Sequence, residues 1–496
     1  MKIVFNFKTA ILLCFILSLF ACERMDQMNL DDNFIEEQKV LEKVDEETFV
    51  ALEQAAEVAN LFFNELTENN IQARTDITKR NSNYSVETLS ENGRPLIYII
   101  NYLDGGFVIM GTTKNYYPIL AYSDKNSFNS RVEISGLSDW IKETKKAIKT
   151  SDILDDTTKV KMQKLWKHFE TSNILSCQET KHKQSRSAYS DAEIACWNRC
   201  DELQMKYGGE GWRFEPLSQT EQIFTEAGFP GMYKDLCFSA DFNNSPINAS
   251  VVGWKDGSKK EQVGPLLSTK WHQHSPFNDL CGGKPAGCAA VAVAQVMKYY
   301  KQPQSFSWNG YSFTWSNIPD VPNSNSDQSA LIRLVGNVLD MHYSSSGSWA
   351  TPNNVKDGLR FLGYNVTKND HDFRKVEKEL FAERPVIMVG NDDNIPLPSP
   401  LNYIGNSHYW VCEGVHRRTT NQMLYFTEWQ PNGNGVFVTG WNTIDVPGLL
   451  GGITYLYFYM NWGWGGQNDG WFAFNNVNSG SGDFEHSRQD FYITKP

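Results

Sequence analysis

Cys288 opens the run Cys288-Ala289-Ala290-Val291-Ala292-Val293-Ala294-Gln295-Val296-Met297-Lys298-Tyr299-Tyr300, directly after the loop Gly282-Gly283-Lys284-Pro285-Ala286-Gly287. Pro285 and Gly287 punctuate the way in, Ala and Met favour helix, and Pro303 stops the run. A thiol in the first turn of a helix faces unpaired backbone N–H groups and the positive end of the macrodipole. That setting lowers a thiol pKa and favours the thiolate, which is the nucleophile. A free Cys in an alanine-rich helix also reads as a small buried hydrophobe, so this stretch alone leaves both readings open.

A base for that thiol has to come from elsewhere, and His408 is placed to serve. It begins His408-Tyr409-Trp410-Val411-Cys412-Glu413-Gly414-Val415, just after Gly405-Asn406-Ser407. As a strand, this puts His408, Trp410 and Cys412 on one face and Tyr409, Val411 and Glu413 on the other. A histidine where a polar loop enters a strand sits at a sheet rim, as a cleft base must; a satisfied core histidine is the commoner meaning of one His.

Gln273 lies fifteen positions before Cys288, and its carboxamide can donate to a developing oxyanion. Trp271 and Phe277 imply that its segment is ordered; a single Gln is otherwise surface solvation. Asn461 or Trp462, after the strand Gly452–Met460, supplies the third group that orients an imidazole in Cys-His systems. The run Asn461-Trp462-Gly463-Trp464-Gly465-Gly466 reads equally as an ordinary aromatic hairpin. It is no dinucleotide loop, because no helix follows. His272 and His274 lack Cys or carboxylate companions and read as structural or cleft-lining. Cys196 and Cys200 have no second pair at ligand spacing, so no zinc site is expected.

These groups need a helix to present the thiol and a sheet to present the imidazole. Apolar periodicity predicts helices over 46–68, Leu137–Lys149, Thr157–Phe169, Ala192–Tyr207, Ser329–Met341 and Asn353–Leu362. Pro95–Tyr102 and Phe107–Gly111 form a hairpin about Asp104-Gly105-Gly106, and Pro118–Ser123 and Arg384–Gly390 are further strands.

Two groups of blocks resemble a known family. Gly105-Gly106-Phe107-Val108-Ile109-Met110, with Tyr117-Pro118-Ile119-Leu120-Ala121-Tyr122-Ser123, resembles the propeptide domain of streptopain-type cysteine peptidases. Gln273 in Trp-x-Gln-x-x-Pro-Phe-Asn, the Cys288 helix, His408-x-Trp-Val-x-x-Gly and Asn461-Trp-Gly-Trp-Gly-Gly look like the peptidase itself, in the family's order. The resemblance implies an α+β chain: a papain-like fold of two subdomains, one helical and carrying Cys, one a sheet carrying His. A small α+β propeptide domain that covers the active site would precede it. Carried over residue by residue, Cys288 is the nucleophile, His408 the general base and Gln273 an oxyanion donor, with Asn461 and Trp462 as the histidine-supporting corner. Ser407 stands where the family usually has Gly before His. No cofactor or metal is implied; the partners are protein or peptide substrates and the chain's own propeptide.

The rest of the chain bounds this reading. A net charge of −12 makes a nucleic-acid partner unexpected, and 15 Trp, 21 Tyr and 29 Phe suggest a large core and an aromatic cleft. Lys2 and Lys8 precede the apolar run Thr9–Phe20, which ends Ala21-Cys22 and resembles a lipoprotein signal that lipidates Cys22. A plain secretory signal with an incidental Cys is the alternative. Either way the protein is exported, to the cell surface or outer membrane, touching membrane only through an amino-terminal lipid. The expected organisation is signal 1–22, acidic tether 23–45, propeptide 46–150, a partly helical linker or insertion 151–235, and peptidase 236–496. The basic run around Gln178 to Ser190 is an exposed site for nicking. Export permits disulfides among Cys177, Cys196, Cys200, Cys237, Cys281 and Cys412, with pairing unreadable from spacing. The function expected is a cysteine endopeptidase made as an inactive precursor. A cell-wall amidase or transglutaminase-like enzyme using the same dyad, and a non-catalytic Trp-rich binding lipoprotein, are the alternatives.

Overall fold

A computed structural model describes residues 47–68, 83–131, 135–171, 190–210, 212–226, 230–256, 259–323, 326–391, 407–420, 423–429, 438–440, 453–474 and 488–495. The signal segment with Cys22, the acidic tether, Cys177 and the basic run at 178–189 lie outside the described residues. Two compact units divide the chain, Met1–Phe49 and Val50–Pro496, and the described helices and strands fall in the second.

Helix α1 (Leu52–Glu68) buries Ala55, Ala56, Ala59, Phe62 and Phe63, which recur at helical spacing. After it come β1 (Tyr84–Glu91), β2 (Arg94–Tyr102), β3 (Phe107–Gly111) and β4 (Ile119–Ser123). The expected hairpin is β2–β3, paired from Ile97↔Gly111 to Asn101↔Phe107. Its turn needs glycine, because Gly106 has φ +99° and a Cβ there would lie 2.7 Å from the Phe63 ring. Helices α2 (Ser135–Thr150) and α3 (Asp156–Thr171) complete this part.

Next are α4 (Asp191–Tyr207), β5 (Arg213–Pro216), α5 (Glu221–Glu226), α6 (Pro230–Phe242), β6 (Val251–Asp256) and β7 (Lys259–Val263). A capping box starts α4: Ser190 Oγ accepts from the Glu193 N–H while the Glu193 carboxylate takes the Ser190 N–H. The catalytic-type stretch then gives α7 (Cys288–Tyr300), the short pair β8 (Phe306–Trp308) and β9 (Tyr311–Phe313), α8 (Ser326–Val338) and α9 (Pro352–Phe361). The chain finishes with β10 (Asn365–Asp370), α10 (Phe373–Phe381), β11 (Val386–Asn391), β12 (Ser407–Thr420), β13 (Met423–Trp429), β14 (Val438–Gly440), β15 (Ile453–Asn461), β16 (Gly470–Phe474) and β17 (Gln489–Thr494).

Packing continues across the expected boundaries at 150 and 235. Helix α3 belongs with α1: Phe62 meets Phe169 edge-on at 5.7 Å, and buried Trp166 donates its indole N–H to the Tyr116 carbonyl at 2.8 Å. Helix α6 runs straight through residue 235. With α4, β5 and β6 it packs on a separate four-stranded sheet, β14-β13-β6-β5, where Arg199 of α4 grips buried Glu428 of β13 through two bonds of 2.8 Å. The segment therefore holds two things, a helix packed on α1 and a layer joined to the later strands by β6–β13 pairing. Trp166→Ala should cost about 3–5 kcal/mol, as for other fully buried Trp truncations, read as a lowered unfolding midpoint of the precursor.

The main sheet has eleven strands in the order β1-β2-β3-β4-β16-β15-β12-β11-β17-β10, with β7 also pairing β12. Strands β1 to β4 continue the sheet of the later strands, joined where Tyr122 pairs Trp471 and Ala121 pairs Phe472. Period-2 alternation sends the two faces to different cores. Val386, Met388, Trp410 and Cys412 join a core with α1, α2 and α3; Ile387, Val389, Tyr409 and Val411 join one with α7, α8 and α9. The sheet is thus sandwiched, with α7, α8 and α9 on one side and α1, α2, α3 and α10 on the other.

Candidate active site

Cys288 begins α7, with Gly287 at the N-cap and no side chain capping it. Gly287 has φ +92°, and a Cβ there would stand 2.2 Å from Met341 Cε, so only glycine fits the turn. The Cys288 thiol lies against the backbone N–H groups of Cys288, Ala289 and Tyr409. These lower its pKa, as the helix start predicts, but burial outweighs them and pushes it up. The expected lowering is reversed here, because Cys288 is only 8% exposed.

Tyr409 is the residue after His408, so β12 delivers the histidine beside α7. His408 is 4% exposed, and its Nε2 lies 3.0 Å from the Trp462 carbonyl oxygen. A carbonyl can only accept, so Nε2 carries the proton and Nδ1 keeps the free lone pair in the neutral ring. Burial pushes His408 down to about 4, against the favourable Trp462 carbonyl. Trp410 and Trp464 stack near the imidazole at 6.2 and 6.3 Å between ring centres.

Gln273 is half-buried, and its main-chain carbonyl accepts from the Ala286 N–H at 2.9 Å, two residues before Cys288. Trp271 anchors the segment through its indole N–H to the Pro319 carbonyl at 3.0 Å. His272 and His274 extend the same wall, with His274 6.0 Å from Trp464 between ring centres. Among the described residues no group of three His, Cys, Asp or Glu is placed to hold a metal.

Asn461 and Trp462 make their contacts through different atoms. Trp462 uses its main-chain carbonyl on His408, while its side chain packs on Trp410 at 5.4 Å. Asn461 acts on the other end of the same amide, its Oδ1 accepting from the Gly463 N–H at 3.1 Å.

Residues 271–472 match the Peptidase C10 family, and residues 43–148 match the Spi protease inhibitor. The chain carries a Peptidase C10 domain behind a Spi inhibitor domain. It is 24% identical over 299 residues to the thiol protease/hemagglutinin PrtT of Porphyromonas gingivalis, covering 51% of this chain and 29% of that protein. It is 24% identical over 292 residues to streptopain of Streptococcus pyogenes, covering 47% of this chain and 61% of that one. The chain therefore spans under a third of PrtT and about three fifths of streptopain. Among solved structures, a mutant fragment of Prevotella intermedia prointerpain A aligns with TM-score 0.41 and 15% identity, over 84% of this chain and 100% of that one.

The inhibitor domain sits on the histidine face of the sheet. Helix α2 packs over β11 and β12, and its Gly136 comes so close that a Cβ would meet Trp410 at 2.9 Å and Trp462 at 3.0 Å. Asn126 and Asn129 hold the loop after Trp462: Asn126 Nδ2 donates to the Asp469 carbonyl at 2.8 Å, and the Asn129 N–H to Asn468 Oδ1 at 2.7 Å. Gly136→Val should overpack that contact by about 1–3 kcal/mol, read as faster processing of the full-length precursor in a time course.

Sequence reasoning missed a buried polar cluster beneath the site. Glu413 accepts from the Leu267 N–H and, at 3.1 Å, from Asn461 Nδ2; burial pushes it up to about 8. Thr269 and Gln295 join through a 2.8 Å bond. One sign was legible: a carboxylate inside the apolar run Val411-Cys412-Glu413-Gly414-Val415.

Proposed function

We propose that the chain is an exported, lipid-anchored or secreted cysteine endopeptidase made as an autoinhibited zymogen. The observation that carries the reading is the meeting of α7 and β12. The Cys288 thiol touches the N–H of the residue after His408, and His408 has Nε2 tied to Trp462, leaving Nδ1 to act as base. In the reaction, Nδ1 takes the thiol proton and Sγ attacks the peptide carbonyl, forming the C–S bond. The oxyanion is held by N–H groups at the α7 start and the Gln273 carboxamide. Collapse breaks the C–N bond as the imidazolium protonates the leaving amine, and water then hydrolyses the thioester. No metal or cofactor is called for in these steps.

Export rests on the charged and apolar amino terminus and anchoring on Cys22; the described residues contain no helix long and apolar enough to cross a membrane. The propeptide is read as residues 46–171, since α3 packs with α1. The test is casein cleavage by the processed chain, blocked by iodoacetamide. Gln273→Ala should lower kcat by about 10²–10³, measured with a fluorogenic peptide; an unchanged kcat would remove Gln273 from the oxyanion site.

A further inference from the structure

The turn joining β15 to β16 closes on itself through backbone bonds, Gln467 N–H to Trp464 carbonyl and Asp469 N–H to Gly466 carbonyl. It does not need a carboxylate, yet Asp469 is 0% exposed within it. A buried carboxylate is costly unless paired and hydrogen-bonded. Asp469 is both: Oδ1 accepts from the Trp462 N–H at 2.9 Å, and Oδ2 lies 3.3 Å from Lys270 Nζ.

We propose that Asp469 is a positioning residue for His408: paired with Lys270, its carboxylate fixes the Trp462 carbonyl that receives the imidazole N–H. The proposal rests on the reading of Cys288 and His408 as the dyad. Two amide planes meet at Trp462. Asp469 holds the first by the Trp462 N–H, and Asn461 holds the second by the Gly463 N–H. With both fixed, the carbonyl cannot swing away from Nε2.

Lys270 extends the tie, since it stands three residues before Gln273. The Gly465 N–H also donates to the Trp271 carbonyl at 3.0 Å, so the histidine-supporting turn and the Gln273 segment form one body. The negative charge, one peptide away from the imidazole's partner, favours imidazolium over neutral imidazole. The other titratable groups around Asp469 are Glu413 and Tyr459. Burial, opposed by Lys270, pushes Asp469 up to about 6, so its charge is lost on mild acidification.

The experiment uses the full-length chain after processing, as wild type, Asp469→Asn and Lys270→Met. Asp469→Asn should lower kcat by about 10- to 100-fold, as loss of an outer-shell orienting group does, with KM within about twofold. The alkaline limb of its kcat/KM should fall by about one unit for lack of the charge that favours imidazolium. Lys270→Met removes the cation that lowers Asp469, so the acid limb of kcat should move up by about one unit. A purely structural carboxylate would shift neither limb. Wild-type kcat and limbs in both variants would overturn the proposal. Should Asp469→Asn fail to fold, the acid limb of Lys270→Met decides alone, an unmoved limb overturning the proposal. Casein cleavage persisting in Cys288→Ala would instead defeat the dyad reading itself.

Discussion

Cys288→Ala is expected to yield a folded precursor that neither cleaves casein nor trims itself. Removing the nucleophile of an acyl-transfer dyad costs at least about 10³-fold, since only binding and the oxyanion donors remain. The variant should still fold, because the thiol sits at the first position of α7 and its loss opens little volume. His408→Ala should match it within error, since residues that act as a unit do not add. Cys281 is the nearby control. It is buried in the loop before α7, its N–H donating to the Asn278 carbonyl at 2.8 Å, and burial pushes its thiol up. Cys281→Ala should keep full activity. Casein cleavage at the wild-type rate by Cys288→Ala would defeat the assignment. Cleavage of peptidoglycan fragments without casein would point to a cell-wall amidase on the same dyad.

What was legible in the sequence was local. The α7 run, the β2–β3 hairpin and the alternation of β12 each carry their own period or turn chemistry, and each formed where expected. The direction of the Cys288 shift was not legible. A helix start lowers a thiol's pKa, but burial depends on what lies over it, and that is a tertiary fact. Strand pairing between distant segments was equally hidden. Nothing in Ile119–Ser123 announces that it will pair with Gly470–Phe474, or in Val251–Asp256 that it will pair with Met423–Trp429. The insertion looked like a linker for that reason: β5 is short and pairs with β6, and β6 finds its partner only at β13, with Asp256 opposite Met423. Asp469 was hidden for a different reason. Asp in a Gly/Asn turn is ordinary, and only its burial beside Lys270 sets it apart.

The second large effect should be on the reactivity of the same thiol before and after processing. In the precursor, burial raises Cys288 and depresses His408 to about 4. At neutral pH the pair is therefore thiol and neutral imidazole, not thiolate and imidazolium. Iodoacetamide reacts with the thiolate, so labelling of the precursor at neutral pH should be slow and rise about tenfold per pH unit until the thiol titrates. Removing the propeptide, residues 46–171, takes α2 off Trp410 and Trp462 and lets water reach the imidazole. His408 then rises and Cys288 falls, each stabilising the other's charge. Labelling of the processed enzyme at pH 6.5 should therefore be at least about 10²-fold faster and nearly flat with pH above the thiol's new value. Gly136→Val should move the precursor part of the way, because it lifts the same helix without removing it. Mass spectrometry of alkylated Cys288 peptides at several pH values reads all three forms. Equal labelling of precursor and processed chains would mean that the inhibitor domain leaves the ionisation of the dyad alone and blocks only substrate.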